Sequence, residues 1–288
     1  MRHLRRSICW LVLIGVAGCA SWTTSPSSEQ TVLRKPRLSD DSVVLELTFA
    51  HIGELDPLDL TSIWNEVDEM KLDTVQRRRL AANGFRGGIA GMHLPQALRD
   101  LVDDENSTSG LDNRIDGRSG SVSRSSHRRL QARAGIRNEI VTGETIDSMV
   151  VLIDEDGKVS GSARAQAQTT LAVMVQPTGD GRAEIELVPE IHFGQPKQKW
   201  VGREGMFQFV VGKERERFEQ LLIPATLAPG ETLILSGNGK PQSLGEQFFT
   251  SCAGTANAPR MLLVRLAQSR DDELFGGGLE SKELATSE

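Results

Sequence analysis

The chain has 288 residues, of which 38% are hydrophobic and 25% are charged, and its formal net charge at pH 7 is −6. This length accommodates one or two compact domains, and the composition excludes a collagen-like protein and a disulfide framework. An acidic chain lacks the excess positive charge with which nucleic-acid-binding proteins neutralise phosphates, so we expect no nucleic-acid partner.

The first eighteen residues have the features of an export signal. Arg2, Arg5 and Arg6 precede an apolar run over residues 8–17 that ends in small residues. A basic stretch, a short apolar segment and small residues at the cleavage point are typical of a secretory signal. The apolar run is too short to cross a bilayer stably, and we therefore expect residues 1–18 to be removed as a signal peptide.

The end of this signal reads Val16-Ala17-Gly18-Cys19 and resembles the lipobox of bacterial lipoproteins. In that family a peptidase cuts before the cysteine, which carries the acyl chains. The resemblance implies that Cys19 attaches the mature protein to membrane lipid, because several acyl chains hold a protein where one binds only marginally. Ala20, in place of an aspartate, implies sorting to the outer membrane, facing the periplasm. The alternative is an ordinary secretory peptide in which Cys19 has no special role.

Cleavage before Cys19 changes the charge and the thiol content of the chain. It removes three of the 33 basic residues and none of the acidic ones, which leaves 30 basic against 39 acidic residues and a net charge of −9. Cys9 leaves with the signal and Cys19 would be acylated, so Cys252 is the remaining thiol. An intramolecular disulfide is then impossible, and a cysteine-ligated zinc site is not expected.

A small α/β module is predicted over residues 41–103, after a tether rich in Ser, Thr and Pro over residues 19–40. The β-rich stretch 43–49 predicts a first strand. Apolar residues then recur at intervals of three and four, which predicts a helix with one apolar face. These residues are Leu60, Ile63, Trp64, Val67 and Met70.

Three further elements complete this module. Asp73, with Gln76 three residues later, resembles a capping box and predicts a second helix. Gly84 can end that helix because glycine adopts the left-handed conformation without steric cost. Residues 85–92 predict a strand, and residues 94–102 predict another helix with a proline in its first turn.

A polar stretch then separates this module from a β-rich half. Residues 104–128 contain too few large apolar residues to offset the ordering of the chain, so we predict a disordered linker. Residues 129–268 predict a mainly antiparallel β domain, in which residues 177–181 are the turn of a hairpin. The predicted strands are 149–153, 170–175, 183–188, 207–211, 218–223, 232–235 and 261–266. Residues 269–288 are acidic and Gly-rich and predict a disordered tail, and the predicted fold class is α+β.

No motif in the chain predicts a reaction, so we expect a non-enzymatic protein with no catalytic residues, cofactor or metal. None of the mature histidines forms a metal pair at helical spacing, and we interpret each as a surface or structural residue. They are His51, His93, His127 and His192. The Asp154-Glu155-Asp156-Gly157 stretch lacks the ligand spacing of a calcium loop and predicts a solvated turn. Arg77-Arg78-Arg79 predicts a solvated helix face, with a contact to anionic lipid as the alternative.

Four segments of the β half follow one another in a recognisable order. Residues 170–177, the turn Gly179-Asp180-Gly181 and residues 183–191 form a strand–turn–strand pattern that ends in Pro-Glu-Ile. Residues 230–237 read Gly-x-Thr-Leu-x-x-x-Gly, and residues 244–248 read Leu-Gly-x-x-Phe. An apolar run over residues 261–266 closes the series.

This order resembles the β domain of the bacterial secretin family, the ring-forming outer-membrane gates of type II and type III secretion and of pilus systems. The resemblance covers about residues 130–268 and implies a secretin-like β domain that takes part in protein secretion or export, or in an outer-membrane complex. The partners it implies are further copies of the chain or other secretion-complex proteins. A small ring and a monomer with covered sheet edges both remain open. The alternatives are a lipid-anchored periplasmic binding or scaffold module without pore function and, third, a hydrolase.

Overall fold

The computed structural model describes residues 41–53, 55–108, 125–203, 206–251 and 258–269, all of which belong to one compact unit. The strands are β1 (Ser42–His51), β2 (Phe85–Ala90), β3 (Ser125–Arg133), β4 (Asn138–Val141), β5 (Ile146–Glu155), β6 (Lys158–Pro177), β7 (Ala183–Arg203), β8 (Met206–Arg217), β9 (Ile223–Leu227), β10 (Thr232–Gly237), β11 (Thr250–Ser251) and β12 (Ala258–Gln268). The helices are α1 (Pro57–Glu66), α2 (Thr74–Ala82), α3 (Gln96–Thr108) and α4 (Leu244–Phe248). Within the described ranges, no helix has the length and apolar character needed to span a membrane.

Two antiparallel sheets organise these strands. Sheet I has the order β2-β10-β12-β1-β3, with the short β11 beside β12. Sheet II has the order β4-β6-β7-β8, with β5 beside β6 and β9 beside β7. The predicted dominance of antiparallel β structure is therefore confirmed, together with the presence of helices.

The central strands of sheet I are buried on both faces. One face packs against sheet II, and Leu45 and Leu262 there share a hydrophobic cluster with Leu171 and Leu187 of sheet II. Its other face is covered by α1 and α3, whose apolar residues form a second cluster. The central strands β10 and β12 therefore read as nearly continuous apolar runs, because neither face of them meets water.

The predicted boundary near residue 104 does not separate two sheets. β1 pairs with β12 on one side and with β3 on the other, so the predicted α/β module and the β half share sheet I. The predicted disordered linker is also too long, since α3 continues to Thr108 and β3 begins at Ser125. Residues 109–124 lie outside the described residues, as do the signal, the tether and residues 270–288.

The predicted start of α2 is confirmed. The side chain of Asp73 accepts hydrogen bonds from the backbone N–H groups of Val75 and Gln76, at 2.9 and 3.1 Å. The second half of the capping box is absent, because the side-chain amide of Gln76 donates instead to the carbonyls of Gln220 and Leu222. Gln76 thus joins α2 to a distant turn.

The prediction of a strand over residues 218–223 is wrong, because that turn takes its place. A 3₁₀ turn over Glu219–Leu221 occupies the segment, and β9 begins only at Ile223. Phe218 and Leu221 are buried in the core between the sheets. A short apolar run does not distinguish a strand from a buried turn, because burial alone explains its composition.

Gly84 ends α2 with a φ of +85°, as its position in the sequence predicts. Its backbone also lies against α4, so that an added Cβ would collide with the side chain of Ser243. The amide of Gly245 donates to the carbonyl of Asn83 at 2.9 Å in the same contact. This close approach fixes α4 on the end of sheet I.

We expect Gly84→Ala to lower the free energy of unfolding by about 2–3 kcal/mol, because the left-handed conformation and the collision each oppose a Cβ. Urea unfolding measures this. The matched control is Gly91→Ala, since nothing lies within 4 Å of a Cβ at Gly91, and its effect is expected to stay within about 0.5 kcal/mol. Equal stability of the two variants would contradict the prediction.

Candidate functional site

The lipid-attachment residue predicted from the sequence, Cys19, lies outside the described residues. Within the described residues, the feature best suited to assembly is the run of four consecutive antiparallel strands β5, β6, β7 and β8, which we call the meander. β6 and β7 are 20 and 21 residues long, far longer than the sequence predicts. Their central hairpin has the predicted turn, with Gly181 at a φ of +81°.

Both outer strands of the meander have a free edge. Among the described strands, β5 pairs with β6 alone and β8 pairs with β7 alone. The outer side of such a strand presents backbone N–H and C=O groups to any extended chain that reaches it. The meander can therefore accept a strand at each end.

Exposed apolar side chains lie on the same strands. Val150 of β5, Val159 of β6 and Val211 of β8 have 58%, 61% and 58% of their surface exposed. A single exposed valine is ordinary on a soluble domain, but exposed valines on both edge strands of one sheet are typical of a surface that another strand covers.

The hairpin of β5 and β6 is held against α2 by one buried amide. The side chain of Asn83 donates to the carbonyl of Asp154 at 3.0 Å and accepts from the backbone N–H of Asp154 at 2.7 Å. The turn beyond Asp154 is the one that the sequence predicts, with Asp156 and Gly157 both at positive φ. The free edge of β5 is thus presented by a hairpin of fixed position.

A buried carboxylate fixes the other part of the meander. Glu190 of β7 has no exposed surface and lies between Arg137, Arg217 and His192. The Nε of Arg217 is 2.9 Å from one carboxylate oxygen, and Nε2 of His192 is 3.2 Å from the other. Arg137 also contacts Glu139 of β4. This cluster, Glu190 with its three partners, ties β4 and β8 to the centre of sheet II.

The cluster keeps Glu190 ionised in spite of its burial. Burial by itself raises the pKa of this carboxyl, but the hydrogen bond from His192 and the guanidinium groups of Arg137 and Arg217 outweigh it and hold the pKa below its ordinary value. The negative charge is therefore part of the folded structure at neutral pH.

Glu139, Glu190 and His192 also bring three metal-type ligand atoms within 4.8 Å of one another. Two arginines already contact the central carboxylate, and a divalent cation would have to displace or repel both of them. The donor set therefore suits an ion-pair cluster better than a metal site.

A cleft of about 470 Å³ opens between α1 and one end of sheet I. Its apolar walls include Ile52, Trp64 and Met261, and its polar lining includes Arg86 and Glu246. The guanidinium of Arg86 lies 4.1 Å from the centre of the Trp64 ring and is bonded to Glu69 at 2.6 Å. The cleft has the concave, mixed lining of a small-molecule or peptide site.

The predicted histidines lie in different parts of the fold. Nδ1 of His127 is 3.1 Å from the hydroxyl of Thr48 across β1 and β3, and His192 belongs to the Glu190 cluster. His93 is exposed in the connection between β2 and α3. His51 ends β1.

No protein-family model matches the chain, and neither does any curated protein or solved structure.

Sequence reasoning missed the roles of Glu190 and Asn83. Glu190 appears in the sequence only as part of an alternating strand, in which Glu184 and Glu186 occupy equivalent positions. The alternation itself does not distinguish the buried glutamate from the exposed ones, because the two arginines that neutralise it come from distant segments. Val188 and Pro189 interrupt that alternation just before Glu190, and they are the local signal that could have drawn attention to it.

Proposed function

We propose that this chain is a lipid-anchored protein of the bacterial cell envelope, attached through acylated Cys19 to the outer membrane and facing the periplasm. Its β domain is secretin-like and takes part in protein secretion or export, or in another outer-membrane complex, without catalysis. The lipobox supports the anchor, and the ordered series of β segments supports the relationship to secretins.

The arrangement of those segments in the fold supports the same proposal. The strand–turn–strand pattern corresponds to the hairpin of β6 and β7, paired from Gln168 opposite His192 to Pro177 opposite Ala183. The Gly-x-Thr-Leu segment is the turn before β10 together with β10 itself. The Leu-Gly-x-x-Phe segment is α4, and the closing apolar run lies in β12. Each segment is thus an intact element of one folded unit.

The observation that carries the proposal is the pair of free edges on the meander. Four antiparallel strands form an even number, so β8 of one copy can lie antiparallel to β5 of the next without reversing any strand. Repetition of that contact either closes into a ring or continues as a filament. It would also cover Val150 and Val211, the exposed valines of the two edges.

We expect the full chain, extracted in mild detergent, to have the mass of a large oligomer in light scattering. The double substitution Val150→Lys with Val211→Lys should lower the measured mass to that of the monomer, because charges at both edges oppose strand pairing. The matched control is Leu58→Lys on α1, where the leucine is 82% exposed and distant in sequence from both edges. An oligomer that survives the double substitution would contradict assembly through these edges.

The cleft beside α1 favours a second candidate function, a lipid-anchored periplasmic binding or scaffold module. In that case the meander edges stay unpaired and the cleft holds the partner. The same measurement separates the two functions, since the wild-type chain would then have the monomer mass in detergent.

A further inference from the structure

Sheet I has a free edge of its own, with a different charge from the edges of sheet II. β3 is the last strand of the sheet and pairs, among the described strands, with β1 alone. Its nine residues include His127, Arg128, Arg129 and Arg133 and no acidic residue. β5 instead carries Asp147, Asp154 and Glu155, and β8 mixes both signs. An acidic extended segment is therefore attracted to the edge of β3 and repelled by that of β5.

The basic side chains of β3 are accessible. Arg129 is 70% exposed and bonds to Glu46 at 2.8 Å, and Arg133 lies 3.5 Å from Asp41. Arg128 is exposed and stands opposite Leu47 of β1, so its neighbour across the strand offers it no charge. The edge thus presents uncompensated positive charge beside free backbone groups.

An acidic segment of the same chain begins close to this edge. Residues 270–288 follow β12 and contain six acidic residues against Arg270 and Lys282. Gln268 at the end of β12 stands opposite Val44, and Ser42 at the start of β1 stands opposite Arg133 at the end of β3. The acidic segment therefore starts at the end of sheet I where β3 finishes.

We infer that residues 273–280 add a strand to the free edge of β3, antiparallel to it. A segment that leaves β12 at this end and turns back runs in the direction opposite to β3, as antiparallel pairing requires. The new position lies three strand spacings from β12, about 14 Å. The four residues after Ser269 span about that distance when extended, so pairing begins at Glu273.

The spacing of the charges fits this pairing. Glu273 and Glu280 are seven residues apart, so with Glu273 opposite Arg133 an antiparallel register places Glu280 opposite Ser126. Arg128 then lies diagonally across from Glu280, on the same face of the sheet. Asp271 and Asp272 then lie in the connection, next to the end of β3. In isolation the composition of this segment predicts disorder, and the edge of β3 supplies the backbone partners that it lacks.

The test is amide hydrogen exchange of residues 125–133 in the full chain in detergent. The variant Asp271→Asn with Asp272→Asn and Glu273→Gln should speed exchange of the outward-facing amides of β3 by about tenfold, because the added strand no longer protects them. Arg128→Glu, which places the repelling charge on β3 itself, should speed the exchange of the same amides. The control is Glu283→Gln with Glu288→Gln, which lies beyond the paired residues and should leave the exchange unchanged.

Three results would overturn the inference. The first is rapid exchange of the outward-facing amides in the wild-type chain. The second is protection that persists in the triple variant, which would mean that something other than residues 273–280 protects the amides of β3. The third is protection that disappears on dilution, which would place a second copy of the chain on β3 in place of the chain's own segment.

Discussion

Glu190→Gln is expected to lower the free energy of unfolding by about 2–4 kcal/mol. Glutamine has nearly the same shape, but it removes the buried counter-charge of Arg137 and Arg217 inside sheet II. Each guanidinium then keeps only its more exposed carboxylate partner, Glu139 or Glu219. Breaking a buried ion pair from one side costs about 3–5 kcal/mol, and the partial exposure of both arginines lowers that range. The loss should fall on the pairing of β4, β7 and β8, which the cluster joins.

Urea unfolding followed by circular dichroism measures this loss. The matched control is Glu184→Gln, on the same strand and the same side of the alternation but exposed, and its effect should stay within about 0.5 kcal/mol. If both variants were equally stable, the cluster would contribute no more than a surface charge.

The effect of Glu190→Gln should also depend on pH. The pKa of Glu190 is lowered in the folded state, so its ionisation stabilises the fold above the ordinary pKa of about 4.3. This stabilisation is lost as the pH falls through the lowered pKa that Glu190 has in the folded state. The difference between the wild type and Glu190→Gln should therefore be full at pH 7 and narrow below about pH 4. A difference that grows on acidification would contradict the sign of the pKa shift.

Cys19→Ser is expected to abolish membrane attachment. Serine can receive no thioether-linked lipid, so the substitution removes the attachment site that the proposal assigns to the acyl chains. The acyl chains account for the whole affinity in this proposal, since several together anchor a protein that one alone would hold only transiently. Fractionation of cells should move the protein from the membrane pellet to the soluble fraction or leave it unprocessed.

The matched control is Cys252→Ser, which removes the other thiol of the mature chain and should leave attachment unchanged. Metabolic labelling with a fatty acid provides a second measurement, since Cys19→Ser should lose the label and Cys252→Ser should keep it. A Cys19→Ser protein whose signal has been removed, and which still stays in the pellet without label, would contradict the lipid anchor.

Local patterns in the sequence predict individual elements well. The alternation and turn residues around residues 170–188 predict the hairpin of β6 and β7, and Asp73 and Gly84 predict both ends of α2. These signals depend on one or two neighbouring residues, whose side chains or backbone freedom act within the same turn. Tertiary contacts do not need to be known for such predictions.

Contacts between distant segments are what the sequence leaves open. Glu190 is one of several glutamates in an alternating strand, and only the approach of Arg137 and Arg217 makes it a buried cluster. Gln76 looks like a capping residue, yet the turn at Gln220 takes its side chain away from the helix. In each case the deciding partner lies more than 25 residues away along the chain.

By itself, the sequence determined the antiparallel β character, the main hairpin and the caps of α2, because periodicity and turn chemistry act over a few residues. Only the tertiary structure decided that β1 and β12 share sheet I, that β3 lies at an edge of sheet I, and that β5 and β8 lie at edges of sheet II. Strand order depends on pairing between segments up to about two hundred residues apart, and no local pattern encodes which segment becomes the neighbour.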